Sequence, residues 1–348
     1  MSGSLTALLF VSFASTLALV PLMIGISRRV GFLDQPGPRK IHTTPIPYGG
    51  GLAVALTLLG ATFFAYYDYS QRIAVAPVRQ EKSFAWPVYA MGSLVILVLG
   101  LIDDRRKLSA RFKLLIQTIV AVGVALGGER LRLFDVPAPV SIAVTVLWIL
   151  AVTNAFNLLD HMDGLSSGVA LLAGASFLVV ALQTGQDFIA AMIVPLMGAC
   201  AGFLCFNFPP AKIFLGDAGS LFIGFWLSCL TISFTFYNAH YALYTYFVPL
   251  AVLAVPLFDT SSVILIRLFR RKPIFEGDTN HLAHRLTALG MSRRGAVLTV
   301  YALTLTAGLS AVLLYHVRES GALLILVQLL LMFGIITLLE TAGRRNDG

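Results

Sequence analysis

Ser93–Lys107 reads SLVILVLGLIDDRRK: ten uncharged, mostly apolar residues stop at Asp103-Asp104 and give way to Arg105-Arg106-Lys107. Carried back to residue 86, the apolar run covers 86–102. A helix needs about 20 such residues to cross a hydrocarbon core about 30 Å thick, so the stretch reads as a membrane span that ends sharply at a polar interface.

The pattern recurs in both directions from there. Apolar runs lie at 4–26, 49–67, 86–102, 112–127, 139–156, 165–183, 188–206, 219–237, 243–267, 295–316 and 321–340, eleven in all. Hydrophobic residues make up 57% of the 348-residue chain and charged residues only 12%, whereas a soluble domain carries about 25% charge. A water-soluble globule is excluded, and the short alternating segments of a membrane barrel are not seen. The expected fold is an all-α polytopic membrane protein of about eleven transmembrane helices, forming one domain over 1–348.

Orientation follows from the basic residues. Met1 to Ile26 contains no Lys or Arg, and Arg28-Arg29 follow it, so the segment reads as a retained first helix with its N-terminus outside rather than a cleaved signal. Eleven crossings then put the C-terminus in the cytoplasm. The loops assigned inside hold 19 of the 25 Lys and Arg residues, and only Arg72, Arg79, Lys82, Arg130, Arg132 and Arg318 fall outside, as the positive-inside rule requires. The same rule accounts for the net charge of +8 through topology and anionic lipid, with no nucleic acid implied. Cys200, Cys205 and Cys229 lie in apolar runs without metal-ligand spacing and read as packing residues.

Acidic residues also crowd the assigned inner side, and charges beside spans mark function. Asp103-Asp104 face Arg105, Arg106, Lys107, Arg111 and Lys113; the pair could be a solvated helix end, a divalent-cation site or a proton acceptor. Asn154, Asn157, Asp160 and Asp163 recur every three residues before Gly164, which on one helix lines up four oxygen groups at the inner end of a span. Gly216-Asp217-Ala-Gly219-Ser220 is a glycine turn running into an apolar helix, suited to letting backbone N–H groups approach a phosphate. The loop after Arg267 carries Glu276, Asp278, Asn280, His281, His284 and Arg285. Zinc ligation lacks a complete four-ligand set there, and diphosphate binding fits the composition better. Asp34, Arg39, Lys40 and His42 precede Gly49-Gly50-Gly51 in a proline-rich first inner loop.

Taken in order from Gly31 to Leu286, these segments resemble the polyprenyl-phosphate N-acetylhexosamine-1-phosphate transferases. The resemblance rests on Arg39-Lys40-x-His42, Gly49-Gly50, Asp103-Asp104, Asn154-x-x-Asn157-x-x-Asp160-x-x-Asp163-Gly164, Gly216-Asp217-x-Gly219-Ser220 and His281-x-x-His284. It implies an enzyme of a bacterial inner membrane, active on the cytoplasmic side, in which a polyprenyl phosphate attacks the β-phosphorus of a UDP-sugar and releases UMP. Magnesium is the implied cofactor, with manganese a substitute; the implied partners are the UDP-sugar, the prenyl lipid and the membrane, and a homodimer is compatible.

By the family's pattern Asp217 and Asn157 hold magnesium, Asp103 orients or deprotonates the lipid phosphate with Asp104 in support, and Lys113 pairs with phosphate charge. His281, His284 and Arg285 bind the diphosphate or sugar, Asp160 and Asp163 contact the nucleotide or shape its pocket, and Lys40, His42 and Asn154 join the substrate-binding set. Two positions depart from the pattern: Ala283 stands where members often have a third histidine, and His161 where they often have glycine. The first loop looks more like the branch using UDP-N-acetylglucosamine than the branch using UDP-N-acetylmuramoyl-pentapeptide. A transporter is the competing class, but transporters collect polar groups near the bilayer midplane, and these carboxylates crowd one face.

Overall fold

A computed structural model describes residues 2–36, 43–75, 85–131, 136–237, 241–273 and 280–343. All eleven apolar runs are helical, and the chain divides into two compact units, Met1–Phe234 and Thr235–Gly348.

The first unit holds helices α1 (Ser2–Arg29), α2 (Gly50–Val75), α3 (Trp86–Arg105), α4 (Ala110–Leu126), α5 (Ala138–Leu159), α6 (Leu165–Gln183), α7 (Asp187–Asn207) and α8 (Gly216–Ser233). A minimal antiparallel pair, β1 (Leu33–Asp34) and β2 (Ile46–Pro47), folds the loop between α1 and α2. Helix α8 is the axis of the unit, packed by α2, α3 and α5 and buried along 94% of its apolar window. A helix enclosed on all sides has to be apolar all round and lean at its contacts. Its sequence, SLFIGFWLSCLTIS after the glycine turn, meets the first demand. Gly100 of α3 meets the second, since a Cβ there would lie 2.4 Å from the Ala218 backbone. Around this axis α7 packs on α1, α2 and α6.

The second unit contains a 3-10 turn (Leu243–Phe247), α9 (Val248–Val252), α10 (Ala254–Phe269), the short α11 (Leu282–Ala288), α12 (Arg293–Leu313) and α13 (Glu319–Gly343). The run expected as one span over 243–267 is bent by 70° between α9 and α10. Pro256 favours the bend there: it has no N–H for the carbonyl of Val252, and its ring crowds that carbonyl.

Among the described residues, nine helices are long and apolar enough to cross a membrane, and the bent pair makes a tenth. Helix α4, at 17 residues, is the eleventh apolar segment. Helix α13 has a mean hydropathy of 2.8 with only 17% of its window buried, the signature of a surface solvated by lipid.

Candidate active site

Four helix ends meet at one end of the first unit: the C-termini of α3 and α5 and the N-termini of α4 and α8. The connection from α3 to α4 is only four residues long, because Ser109 caps α4 by accepting the Phe112 N–H at 3.3 Å. That turn brings Lys113, in the first turn of α4, back over the end of α3. Its ammonium donates to Asp103 Oδ2 at 2.5 Å and to Asp217 Oδ2 at 3.2 Å. The other oxygen of Asp103 accepts the Leu108 N–H at 2.6 Å. One lysine therefore bridges carboxylates that are 114 residues apart in the chain.

Asp104 does something different. Its two oxygens accept the N–H groups of Asp217 and Ala218, at 2.7 and 3.1 Å, at the start of α8. A carboxylate there satisfies orphan donors and complements the positive end of the helix dipole. Asp104 thus holds the backbone of Asp217 and points its charge at peptide groups. Gly216, just before, has φ +72°, a left-handed conformation open to glycine at little strain. A Cβ on Gly216 would sit 2.5 Å from Asp104 Oδ2.

On the α5 side, the Asn157 amide donates to Asp217 Oδ1 at 2.7 Å and to Ser220 Oγ at 3.0 Å. Asn154, one turn earlier, donates to Gln117 Oε1 of α4 at 2.6 Å and to its own Leu150 carbonyl, and so ties α4 to α5. The expected helical stripe does not continue to Asp163. Helix α5 ends at Leu159, Asp160 caps it, and Gly164, at φ 75°, starts α6. Asp163 accepts the Ala211 N–H at 2.9 Å. Asn207 reinforces that link by accepting the Gly164 N–H and donating to the Ile213 carbonyl, at 2.8 and 2.9 Å. Asp163 therefore fastens the α5–α6 turn to the connection that leads into Asp217. Asp160 stays half-buried beside the cluster. Its carboxyl is held well above the usual carboxylate range by desolvation first, then by the charges of Asp217, Asp104 and Asp163.

The first loop is clasped to the same place. Gly50 and Gly51 donate to the carbonyls of Phe214 and Leu215 at 3.1 and 3.0 Å, and Phe214 donates back to Pro47 at 2.9 Å. Tyr48 donates its hydroxyl to Asp34 Oδ1 at 3.0 Å, its ring lying 5.4 Å from Phe32 and 6.0 Å from Phe214. Burial, Asp34 and the nearby charges of Asp104 and Asp217 raise the tyrosine above its ordinary value and keep it neutral. Tyr48 was not among the residues the sequence singled out, although the Pro-Tyr-Gly-Gly-Gly context marked the loop around it. Lys40 and His42, with Arg39, Glu276 and Asp278, lie outside the described residues.

In the second unit, His281 is the N-cap of α11 and His284 and Arg285 lie within it, so the two histidines do not share one helical turn. His281 Nδ1 lies 2.9 Å from Asp259 Oδ2 of α10, and Arg285 Nη2 donates to Ser262 Oγ at 3.0 Å. Desolvation and then the neighbouring His281 lower His284 below the usual histidine value. Asp259 was also missed, although a lone carboxylate in an apolar span is a default signal of function.

The arrangement in the first unit sets Asp103, Asp104, Asp160 and Asp217 against one lysine at the end of a lipid-solvated bundle. Residues 86–235 match the family model described as glycosyl transferase family 4. The chain is 33% identical over 346 residues, 97% of its length and 92% of the relative's, to a Bacillus subtilis protein named as a probable undecaprenyl-phosphate N-acetylglucosaminyl 1-phosphate transferase. It is 31% identical, over 92% of its length and 85% of the relative's, to a decaprenyl-phosphate N-acetylglucosaminephosphotransferase of Mycobacterium tuberculosis. It is 28% identical, over 88% and 82%, to an undecaprenyl-phosphate alpha-N-acetylglucosaminyl 1-phosphate transferase of Yersinia pestis.

Proposed function

The chain belongs to glycosyl transferase family 4, and from that premise we propose that it transfers N-acetylglucosamine 1-phosphate from UDP-N-acetylglucosamine to a polyprenyl phosphate, releasing UMP. The observation that carries the reading is the bridge from Asp103 through Lys113 to Asp217, which joins a cation to two carboxylates where the bundle meets the interface. The names of the relatives favour N-acetylglucosamine over the muramoyl-pentapeptide alternative. The distribution of basic residues supports a site on the cytoplasmic face of a bacterial inner membrane.

The bond that forms joins a lipid-phosphate oxygen to the β-phosphorus, and the bond that breaks is the one to the UMP oxygen. A phosphate monoester has its second pKa near about 6, so the lipid phosphate is largely dianionic at neutral pH and needs no strong base. Asp103 suits a different task. Both of its oxygens are engaged, by Leu108 N–H and Lys113, so it fixes the ammonium rather than the attacking oxygen. Two of the three donors of Lys113 go to carboxylates, and the remaining one is offered to the incoming phosphate. Asp104, through its hold on Asp217 and Ala218, sets the first turn of α8 under the diphosphate.

The donor set suits magnesium. Asp217 and Asn157 offer hard oxygen donors, and among the described residues Asp103, Asp104 and Asp217 outnumber the one lysine set among them, which favours a cation. The Asn157 amide lies 2.7 Å from Asp217 Oδ1, so these two side chains, with the amide turned to offer its oxygen, would hold the metal. When bound, magnesium neutralises charge developing on the diphosphate and the departing UMP. In the second unit, His281, His284 and Arg285 are the candidates for binding diphosphate or sugar oxygens. The test is UMP release by purified protein given UDP-N-acetylglucosamine and magnesium with and without undecaprenyl phosphate. Release only when the lipid is present supports the reading, and release that ignores the lipid overturns it.

A further inference from the structure

Behind the rung formed by Lys113, Asp217 and Asn157 lies a second one. Gln117 follows Lys113 by one turn on α4, and Asn154 precedes Asn157 by one turn on α5, so on each helix the two residues share a face. The Asn154 amide nitrogen lies 2.6 Å from Gln117 Oε1 and 2.8 Å from the Leu150 carbonyl of its own helix. A carbonyl only accepts, so the part of the Asn154 amide that faces Leu150 has to be its nitrogen. The same nitrogen meets Gln117, which must answer with oxygen, and the order of acceptor, donor and acceptor fixes both amides. Gln117 therefore turns its own nitrogen away. The residue is 1% exposed, and its Nε2 has no hydrogen-bond partner among the described residues. A buried donor left unmet destabilises a fold, whereas an apolar side chain of like size would fill the same place without that loss. Packing alone does not account for a glutamine here.

We propose that Gln117 is a positioning residue of the transfer reaction: by holding Asn154 it locks α4 to α5 one turn behind the site, so that Lys113 from one helix and Asn157 from the other reach the two oxygens of Asp217 together. Lys113 Nζ lies 3.2 Å from Oδ2 and the Asn157 amide 2.7 Å from Oδ1. A slip of α4 against α5 would pull these two contacts out of step. The N–H groups of Asn154 are engaged within the protein, by Gln117 and Leu150, so this residue joins helices rather than donating to the sugar nucleotide. The effect on rate rests on the transferase reading, whereas the lock belongs to the fold.

Full-length protein in nanodiscs tests it by exchanging the two side chains. Gln117→Asn shortens one arm of the lock by a methylene and Asn154→Gln lengthens the other, and each should lower kcat for UMP release about 10-fold or more. The double variant Gln117→Asn/Asn154→Gln restores the summed length, so its kcat should return to within about threefold of wild type, against the additive loss expected of independent sites. Hydrogen exchange followed by mass spectrometry reads the lock without turnover. The amides of 109–116 should exchange faster in each single variant and at the wild-type rate in the double variant. Gln117→Met removes the tie and the unmet donor together, so kcat should fall by a similar factor while the unfolding temperature stays at or above that of wild type.

Single losses that the double variant does not recover would overturn the proposal and return Asn154 to the substrate. So would a kcat within about twofold of wild type in Gln117→Met, or a lowered unfolding temperature there, the result given by a residue that only stabilises the fold. A wild-type protein that releases no UMP with any lipid would overturn the transferase reading, and exchange in 109–116 would still decide the lock.

Discussion

Gly216→Ala probes the hinge on which Asp217 is delivered. The substitution asks an L residue to hold φ +72°, which costs roughly 1–2 kcal/mol. Its Cβ would also lie 2.5 Å from Asp104 Oδ2, about 1 Å closer than ordinary contact. Asp104 must withdraw by that amount, and its 2.7 Å bond to the Asp217 N–H then breaks, a charge-assisted bond worth about 1.5–3 kcal/mol. The two effects together amount to about 2.5–5 kcal/mol of local stability. Asp217 shifts with its backbone, and a misplacement of about 1 Å at a phosphoryl-transfer site costs on the order of 100-fold in rate. The assays are thermal unfolding in detergent and steady-state UMP release at saturating magnesium. Gly216→Ser should behave alike, since it adds the same Cβ. Unchanged unfolding together with a rate within about twofold of wild type would refute the idea that Asp104 acts through the start of α8.

Asp217→Asn keeps the size of the side chain but removes the charge that faces Lys113, so turnover should fall by about 10²-fold or more with the protein still monodisperse; near-normal UMP release at high magnesium would end the metal assignment. Asp160→Asn should stabilise the protein at alkaline pH. A carboxyl raised in the folded state favours folding below about pH 4, its unfolded value, and that contribution disappears as pH rises through the folded value. Unfolding temperatures of variant and wild type should therefore diverge in favour of the variant as pH rises above the unfolded value of about 4, and a difference that stays flat with pH would count against the burial of charge at Asp160. Ala283→His introduces the histidine that the resembled motif pattern would place there, but Ala283 is buried, so the larger ring should destabilise by roughly 1–3 kcal/mol, and a gain in stability would show that α11 packs otherwise.

Most of the architecture is legible in the sequence because the bilayer leaves a helix few alternatives: it must be apolar for the thickness of the core and must satisfy its backbone internally. Where the constraint is tertiary, the reading is less direct. The stripe from Asn154 to Asp163 has helical spacing, yet α5 stops at Leu159, since Asp160, His161, Asp163 and Gly164 are weak helix formers and Asp163 finds the Ala211 N–H instead. The 70° bend after α9 was signalled by Pro256, whose effect an apolar count cannot register. The carboxylates brought together at Lys113 come from two separate motifs, and adjacency of Asp103 and Asp104 in sequence conceals that one faces an ammonium and the other two peptide groups. Spacing along the chain carries no information about that division, which depends on where α8 begins.

Helix α4 also has a bearing on the lipid around it. Its 17 residues rise about 26 Å, short of a hydrocarbon core about 30 Å thick, and it turns Phe112, Leu115, Ile119 and Leu126 outward. Such hydrophobic mismatch is relieved by thinning of the adjoining bilayer, at a fraction of a kcal/mol per ångström. The dimple forms at the helix that carries Lys113, so the headgroup plane dips towards the ammonium there. A prenyl phosphate diffusing in the leaflet meets Lys113 at its own depth, with its hydrocarbon tail still immersed.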